Sequence, residues 1–236
     1  LIFDNVRILP TDCHGQVMQR ICGFRESKSK YVLQLDDDII LDKNCLNYLI
    51  EQMIDTDENV AIAPIILNSL TNKSAFDRSY QNKAVKWLYY WLINGNKGYR
   101  PGTIYKSCSG DGVDLAKKES NVYELEWLAG GCVLHKKNNL ILENYYPFSG
   151  KAYCEDYIHS YLLRKKNIKL FLDTRAVCAT EVESYTTQKI SSFIDNIYHD
   201  YIARKYFMKI SSRKSIRIYY FYMFMILNYI KNHNNK

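Results

Sequence analysis

Three adjacent carboxylates, Asp36, Asp37 and Asp38, stand between two apolar runs in the stretch 31–41. The flanks have the hydrophobicity and length of a buried strand. The acids are therefore expected at a strand end, where an open α/β sheet meets solvent and binds ligands. Carboxylates this close raise each other's pKa unless a cation neutralises them. Clustered oxygen ligands suit Mg²⁺ or Mn²⁺, a hard ion that keeps some waters and takes further ligands from a substrate's phosphates. An acidic turn capping the helix that follows would account for the same residues, and spacing alone does not separate the two.

Whether the ligand is a nucleic acid depends on where the charge lies. The 236 residues carry a net charge of +7, but none of the acids falls after Asp200, while Arg204, Lys205, Lys209, Arg213, Lys214, Arg217, Lys231 and Lys236 do. The body is close to neutral and shows no helix-turn-helix or RNP-like pattern, so nucleic acid is not the expected partner. A hydrophobic content of 47% is enough for one core with an appendage. The seven cysteines include no CxxC pair, which fits a reducing compartment. The chain opens at Leu1, directly into Ile2 and Phe3, and reads as a cut end without a signal peptide.

In chain order, 5–9 reads as a short strand stopped by Pro10, and 16–25 as a helix with Val17, Ile21 and Phe24 on one face. His14 beside Cys13 reads as a turn histidine. Leu46, Leu49, Ile50, Met53 and Ile54 form an amphipathic stripe. A strand is expected over 60–67, entered through 57–59, with Pro64 arguing for an edge or an end. The pattern loosens over 68–122, a long loop expected to act as an acceptor-side lid. Within it Trp87, Leu88, Trp91 and Leu92 have helical spacing and are expected in the core rather than as a sugar-stacking platform. Gly130 and Gly131 interrupt a strand-like run at 124–134, which implies close approach of backbone to a ligand or to another element. A helix near 138–143 and an aromatic loop at 145–150 follow. Glu155 and Asp156 open a helix carrying Ile158, Tyr161 and Leu162, where acids also suit the helix dipole. Strands at 168–172 and 176–180 close the body. A helix over 188–209 follows, and then the apolar run 218–227, which at ten residues is too short to span a bilayer. Its basic flanks suit a helix lying on an anionic membrane, a reading preferred over packing on the body.

The order of an Asp-rich strand end, a Gly-Gly strand and a Cys154-Glu155-Asp156 helix start, followed by Leu162-Leu163-Arg164-Lys165-Lys166, resembles the family 2 glycosyltransferases of the GT-A fold. Gly15, Gln16 and Arg20 are similar to the helix before the acidic strand in that family, although the usual Asn after the arginine is Ile21 here. The resemblance implies an α/β fold with a GT-A-like mixed sheet flanked by helices over 1–185, and a C-terminal helical basic and aromatic segment over 186–236. It implies inverting transfer of one sugar from a nucleotide-sugar donor, with Mn²⁺ or Mg²⁺ held by Asp36 and Asp38. It assigns Asp156 as catalytic base with Glu155 in reserve, and Arg20, Asp36, Asp37, Trp127, Gly130 and Gly131 to the donor. The acceptor it implies is a saccharide or lipid-linked saccharide in bacterial surface polysaccharide synthesis. The setting is then cytoplasmic, at the inner face of the cell membrane, with peripheral contact through 204–231. No Gln-x-x-Arg-Trp follows the Glu-Asp pair, which argues against polymerisation. The βαβ unit that grips the nucleotide base in the family has no counterpart before residue 5, so a fragment or an incomplete nucleotide site is expected. Two other readings stand beside this one: a nucleotidyltransferase, and a non-catalytic scaffold with a decayed nucleotide site.

Overall fold

The computed structural model describes residues 5–56, 59–76, 82–113, 119–181 and 188–233. Expectations placed on 2–3, 57–58, 77–81, 114–118, Lys236 and the boundary at 185/186 fall outside them. Among the described residues, six α-helices flank a mixed six-stranded sheet. The helices are α1 (Gln16–Glu26), α2 (Cys45–Asp55), α3 (Lys83–Asn94), α4 (Glu155–Lys165), α5 (Ile190–Ile210) and α6 (Arg217–His233). The strands are β1 (Tyr31–Leu35), β2 (Ile40–Leu41), β3 (Val60–Asn68), β4 (Val122–Glu124), β5 (Cys132–Lys136) and β6 (Lys169–Thr180). Their order is β1-β5-β3-β6-β2, with β4 also on β6. Only β3 and β6 run parallel. This is the mixed sheet flanked by helices that the sequence implied.

Alternation along β3 explains its burial on both faces. Val60, Ile62 and Ile66 meet Leu49 and Met53 of α2, while Ala61 and Ala63 face Leu163 of α4 and Leu170, as a period of two requires. Each fully buried Ile or Leu here contributes roughly 1.5–3 kcal/mol. Pro64 lies inside this central strand and not at an edge. It is tolerated because β5 pairs only with Ala61 and Ile62, and because the β6 register shifts between Pro64 and Ile65; a proline lacks the N–H that a continuous ladder would need. The two strands expected at 168–172 and 176–180 are one strand carrying that irregularity. Buried Asp173 is satisfied there by Arg175, whose guanidinium approaches to 2.7 Å.

Several local expectations are corrected. Residues 5–9 form no strand: no strand among the described residues supplies a ladder, and Ile8 is 86% exposed. The helix near 138–143 is a single 3₁₀ turn, Lys137–Asn139. Buried Asn139 donates to the Val60 carbonyl, Leu140 ends the turn in extended backbone, and both Leu140 and Ile141 are buried. Gly130 and Gly131 precede β5 and do not lie within it. The α2 stripe is narrower than its spacing suggests, with Leu46 and Ile54 exposed.

The largest correction concerns α3. Its buried residues are Tyr89, Tyr90 and Ile93, whereas Trp87 is 67% and Trp91 41% exposed and Leu88 is also exposed. The two tryptophan rings stack on each other, 6.3 Å apart. Tyr89 packs edge-on against Phe224 of α6, and Arg217 donates to the carbonyls of Trp91 and Leu92. Both α5 and α6 enter the main core: Phe207, Ile218, Phe221 and Tyr222 join Tyr89, Tyr90 and Trp127. The inner face of α6 is therefore packed on the body while its outer face is exposed. No helix among the described residues is long and apolar enough to cross a membrane.

Candidate active site

The register of β1 against β5 places Leu35 opposite Cys132, so the acids that follow β1 lie beside the glycines that precede β5. The Asp36 N–H donates to the Gly131 carbonyl at 2.9 Å, and Ile39 N–H closes a turn on the Asp36 carbonyl. The three acids thus occupy a turn at the strand end, as expected. Asp36 is half-buried, while Asp37 and Asp38 are exposed. Asp38 accepts from the Thr180 hydroxyl at 3.2 Å. Asp37 does not line the cleft that Asp36 and Asp38 share.

That cleft, of about 260 Å³, is also lined by Arg20, Gly130, Gly131, Glu155 and Asp156. Of the residues assigned to catalysis, donor or metal, only Asp37 and Trp127 do not line it. The second acidic motif enters from the start of α4. Cys154 at the cap has a left-handed backbone (φ 56°), and its own side chain makes no capping hydrogen bond. Asp156 stands in the first turn of α4, and its Oδ1 accepts from the Gly130 N–H at 2.9 Å. The absent side chain of Gly130 makes room for the two acids. A Cβ there would lie 2.6 Å from Asp156 Oδ1 and 3.0 Å from Glu155 Oε2. Gly130→Ala is accordingly expected to displace both carboxylates and to cost roughly 1–3 kcal/mol. A thermal melt matching wild type would contradict this.

Arg20 joins the two motifs. From α1, held by buried Val17, Ile21 and Phe24, it reaches Glu155 Oε1 at 2.7 Å and Asp36 Oδ1 at 3.1 Å. Burial works against its charge, but Glu155 and then Asp36 outweigh that and keep it protonated. Glu155 is buried and also accepts from the Tyr145 hydroxyl at 2.7 Å. Burial alone would raise its pKa; Arg20, with hydrogen bonds from Asp156 and Tyr145, overrides this and holds it ionised below the usual carboxylate range. Asp156 goes the opposite way, pushed well up by burial and by the Glu155 charge. Two neighbouring carboxyl groups with pKa values driven apart leave one anion and one group able to hold a proton. Asp36 is raised by burial, an effect that Arg20 only partly offsets.

Trp127 is buried, with Phe76 and Tyr157 nearly perpendicular to its ring at centroid distances of 5.4 and 4.9 Å. It lines an adjoining lobe of about 300 Å³ that also touches Asp156. Its Nε1 has no hydrogen-bond partner among the described residues. The indole N–H is itself buried, beside the backbone of Gly110. Arg204 of α5 lines the same lobe, held by Asp200 at 2.7 Å and by the Cys108 carbonyl. Nothing in the sequence placed Arg204 here, because it lies in the basic tail. Tyr145 carried only the signal of an aromatic loop.

Beneath Tyr145 the ring of His159 stacks at 5.4 Å, next to His135. Burial pushes His159 down to about 4, so it is neutral at pH 7. A depressed folded pKa contributes stability that is fully present above the unfolded value of about 6.5 and is lost as pH falls through about 4. His159→Phe is expected to flatten the dependence of Tm on pH between those values, and an unchanged slope would contradict it.

Asp36 and Asp38 fit a hard divalent ion in donor chemistry: two carboxylates on one cleft, one of them half-buried and raised by that burial. Among the described residues no group of three or more His, Cys, Asp or Glu side chains is placed to hold a metal. Water and phosphate oxygens would complete the shell, as is usual for Mg²⁺.

Comparison with known proteins gives three findings. Residues 2–108 match the model of glycosyl transferase family 2, a stretch that includes Arg20 and the three acids but not Gly130 or Asp156. No curated protein matches the chain. Among solved structures, GalNAc-T7 with UDP, GalNAc and Mn²⁺ aligns with 15% identity and a TM-score of 0.45 over 72% of this chain, which spans about 31% of that one. Over residues 2–108, then, the chain matches glycosyl transferase family 2, the family that the order of its motifs resembles.

Proposed function

We propose that this chain is a metal-dependent, inverting glycosyltransferase that moves one sugar from a nucleotide-sugar donor to a saccharide or lipid-linked saccharide in bacterial surface polysaccharide synthesis. The observation that carries the proposal is the convergence of Asp36 and Asp38, from the family-matched stretch 2–108, with Asp156 and Glu155, from beyond it, on one cleft.

In this reading the acceptor hydroxyl attacks the anomeric carbon. Its oxygen forms the new glycosidic bond, the bond to the diphosphate breaks, and the hydroxyl proton passes to Asp156. Burial and Glu155 raise the Asp156 pKa, which makes its carboxylate a stronger base once ionised. Glu155, Tyr145 and Arg20 hold Asp156 and Asp36 in place across the cleft. When bound by Asp36 and Asp38, a divalent ion supplies charge neutralisation for the departing diphosphate. Gly130 and Gly131 let backbone line the donor, and Trp127 lines the adjoining lobe next to it. Attack from the face opposite the leaving group inverts the anomeric centre. The cell membrane's cytoplasmic face is the proposed setting, with peripheral contact through 204–231.

The test is release of nucleoside diphosphate from a panel of UDP-, GDP- and dTDP-sugars in the presence of saccharide acceptors, with the anomeric configuration of the product read by NMR. Acceptor-dependent release that rises with pH through the Asp156 titration supports the reading. Absence of release with every donor, or product of retained configuration, contradicts it.

A further inference from the structure

A second cleft, larger than the one the acids share, lies away from them. It has a volume of about 420 Å³ and lies between the end of α3, the following loop and the turn into α6. Lys97, Arg100, Lys106, Arg213 and Lys214 line it. Its one acid, Glu126, accepts from the Ile104 N–H at 2.8 Å and lies 3.8 Å from Arg213. Four of the five cations, all but Arg213, are exposed. Clustered lysine and arginine side chains are suited to phosphate groups.

Next to the cleft, α3 and α6 pack side by side through Tyr89, Phe224 and Arg217. The outward face of α3 carries Trp87, Leu88 and Trp91, and that of α6 carries Met223, Leu227 and Ile230, all exposed. Helix α5 joins α6 through the Phe193–Tyr229 stack and also leaves Ile190 and Ile194 exposed. Exposed apolar faces on three adjacent helices exceed what scattered surface hydrophobics produce. Tryptophan and tyrosine beside lysine and arginine are the residues favoured at a membrane interface.

We infer that the basic cleft and the outward faces of α3 and α6 form one docking surface for an anionic bilayer, the cleft taking lipid phosphates and the helix faces entering the headgroup boundary. This rests on the proposal of peripheral membrane contact and deepens it: α3 and the 97–106 loop, outside the basic tail, become part of the surface. Charge decides between occupants. A second copy would bring two basic rims together, whereas anionic lipid neutralises them. The helices would lie on the bilayer and not cross it, since none is long and apolar enough to do so.

The test is co-sedimentation of the full chain with vesicles of equal parts phosphatidylcholine and phosphatidylglycerol, and with vesicles of phosphatidylcholine alone. Binding to the anionic vesicles that weakens with added salt is expected, with little binding to the neutral ones. Lys97→Gln with Lys214→Gln should weaken binding about thirty-fold, from the usual contribution of each cation near an anionic surface. Trp87→Ser with Leu227→Ser should weaken it at least about tenfold. Equal binding to both vesicle types, wild-type binding by both double variants, or no binding at all would overturn the inference. So would a dimer in sedimentation velocity that the Trp87→Ser, Leu227→Ser variant converts to monomer, since a second copy would then cover the face. Nucleotide titration of the same variants separates the two proposals. Vesicle binding without nucleotide binding keeps the surface and sinks sugar transfer; nucleotide binding without vesicle binding does the reverse.

Discussion

Asp156→Asn is expected to lower sugar transfer by about 10³-fold, within the range that a positioned general base supplies, while nucleotide binding in the presence of Mn²⁺ stays near wild type. The amide is isosteric and keeps an oxygen to accept from the Gly130 N–H, 2.9 Å away in the wild type. It also offers N–H donors to the ionised Glu155. The change therefore removes a proton acceptor and leaves the cleft intact. Stability provides an independent check. The pKa of Asp156 is raised on folding, so its protonated form favours the fold, and this contribution is lost as pH rises through its folded value. Asparagine does not titrate, so the variant should lose less stability than wild type as pH rises. Thermal melts across the pH range read this, and steady-state transfer rates read the catalytic effect. A variant that retains full activity would remove Asp156 from the role of base, and Glu155→Gln would then be the next substitution to test.

Arg20→Met is expected to be the most destabilising single change at the site. It leaves the Glu155 carboxylate, 3% exposed at its side chain, without its cation. Breaking one partner of a buried ion pair costs about 3–5 kcal/mol, or a fall in Tm on the order of 10 °C for a chain of this size. The sign of the pH dependence follows from Glu155. Its folded pKa is depressed, so the pair stabilises above the ordinary carboxylate range and loses that contribution as pH falls through the folded value. The deficit of the variant should therefore shrink in acid. Glu155→Gln in the Arg20→Met background should recover part of the loss, because the buried charge is gone. Additive losses in the double variant would mean that Arg20 stabilises through packing alone.

The parts of this molecule legible in its sequence are those set by local pattern. The acids follow an apolar run of strand length, and β1 indeed stops at Leu35 with the turn beginning at Asp36. In α1, Val17, Ile21 and Phe24 are spaced for a single face and are the buried ones. What could not be read depends on partners distant in sequence. Helix α3 is apolar on both sides, so periodicity cannot choose its inner face. Packing of Tyr89 on Phe224 of α6 makes the choice, and it turns Trp87 and Trp91 outward. Pro64 argued for an edge because the end of β5 pairing after Ile62 is not written in the residues around it. Residues 5–9 have the composition of a strand, but a strand exists only where a ladder receives it. At the site, the two acidic motifs were visible as motifs, yet their union by Arg20 across 135 residues of sequence is a tertiary fact. The reason for Gly130 was likewise left open between a ligand and another element; its neighbours are the carboxylates of α4.

The central claim, that the cleft between the two acidic motifs binds a nucleotide through a metal held by Asp36 and Asp38, is tested most directly by calorimetric titration of the 236-residue chain with UDP, GDP and dTDP, each with and without Mn²⁺. The expected result is binding of one nucleotide that requires Mn²⁺ and disappears in the Asp36→Asn, Asp38→Asn double variant. Binding that is indifferent to Mn²⁺, binding that survives the double substitution, or no binding of any of the three would contradict it.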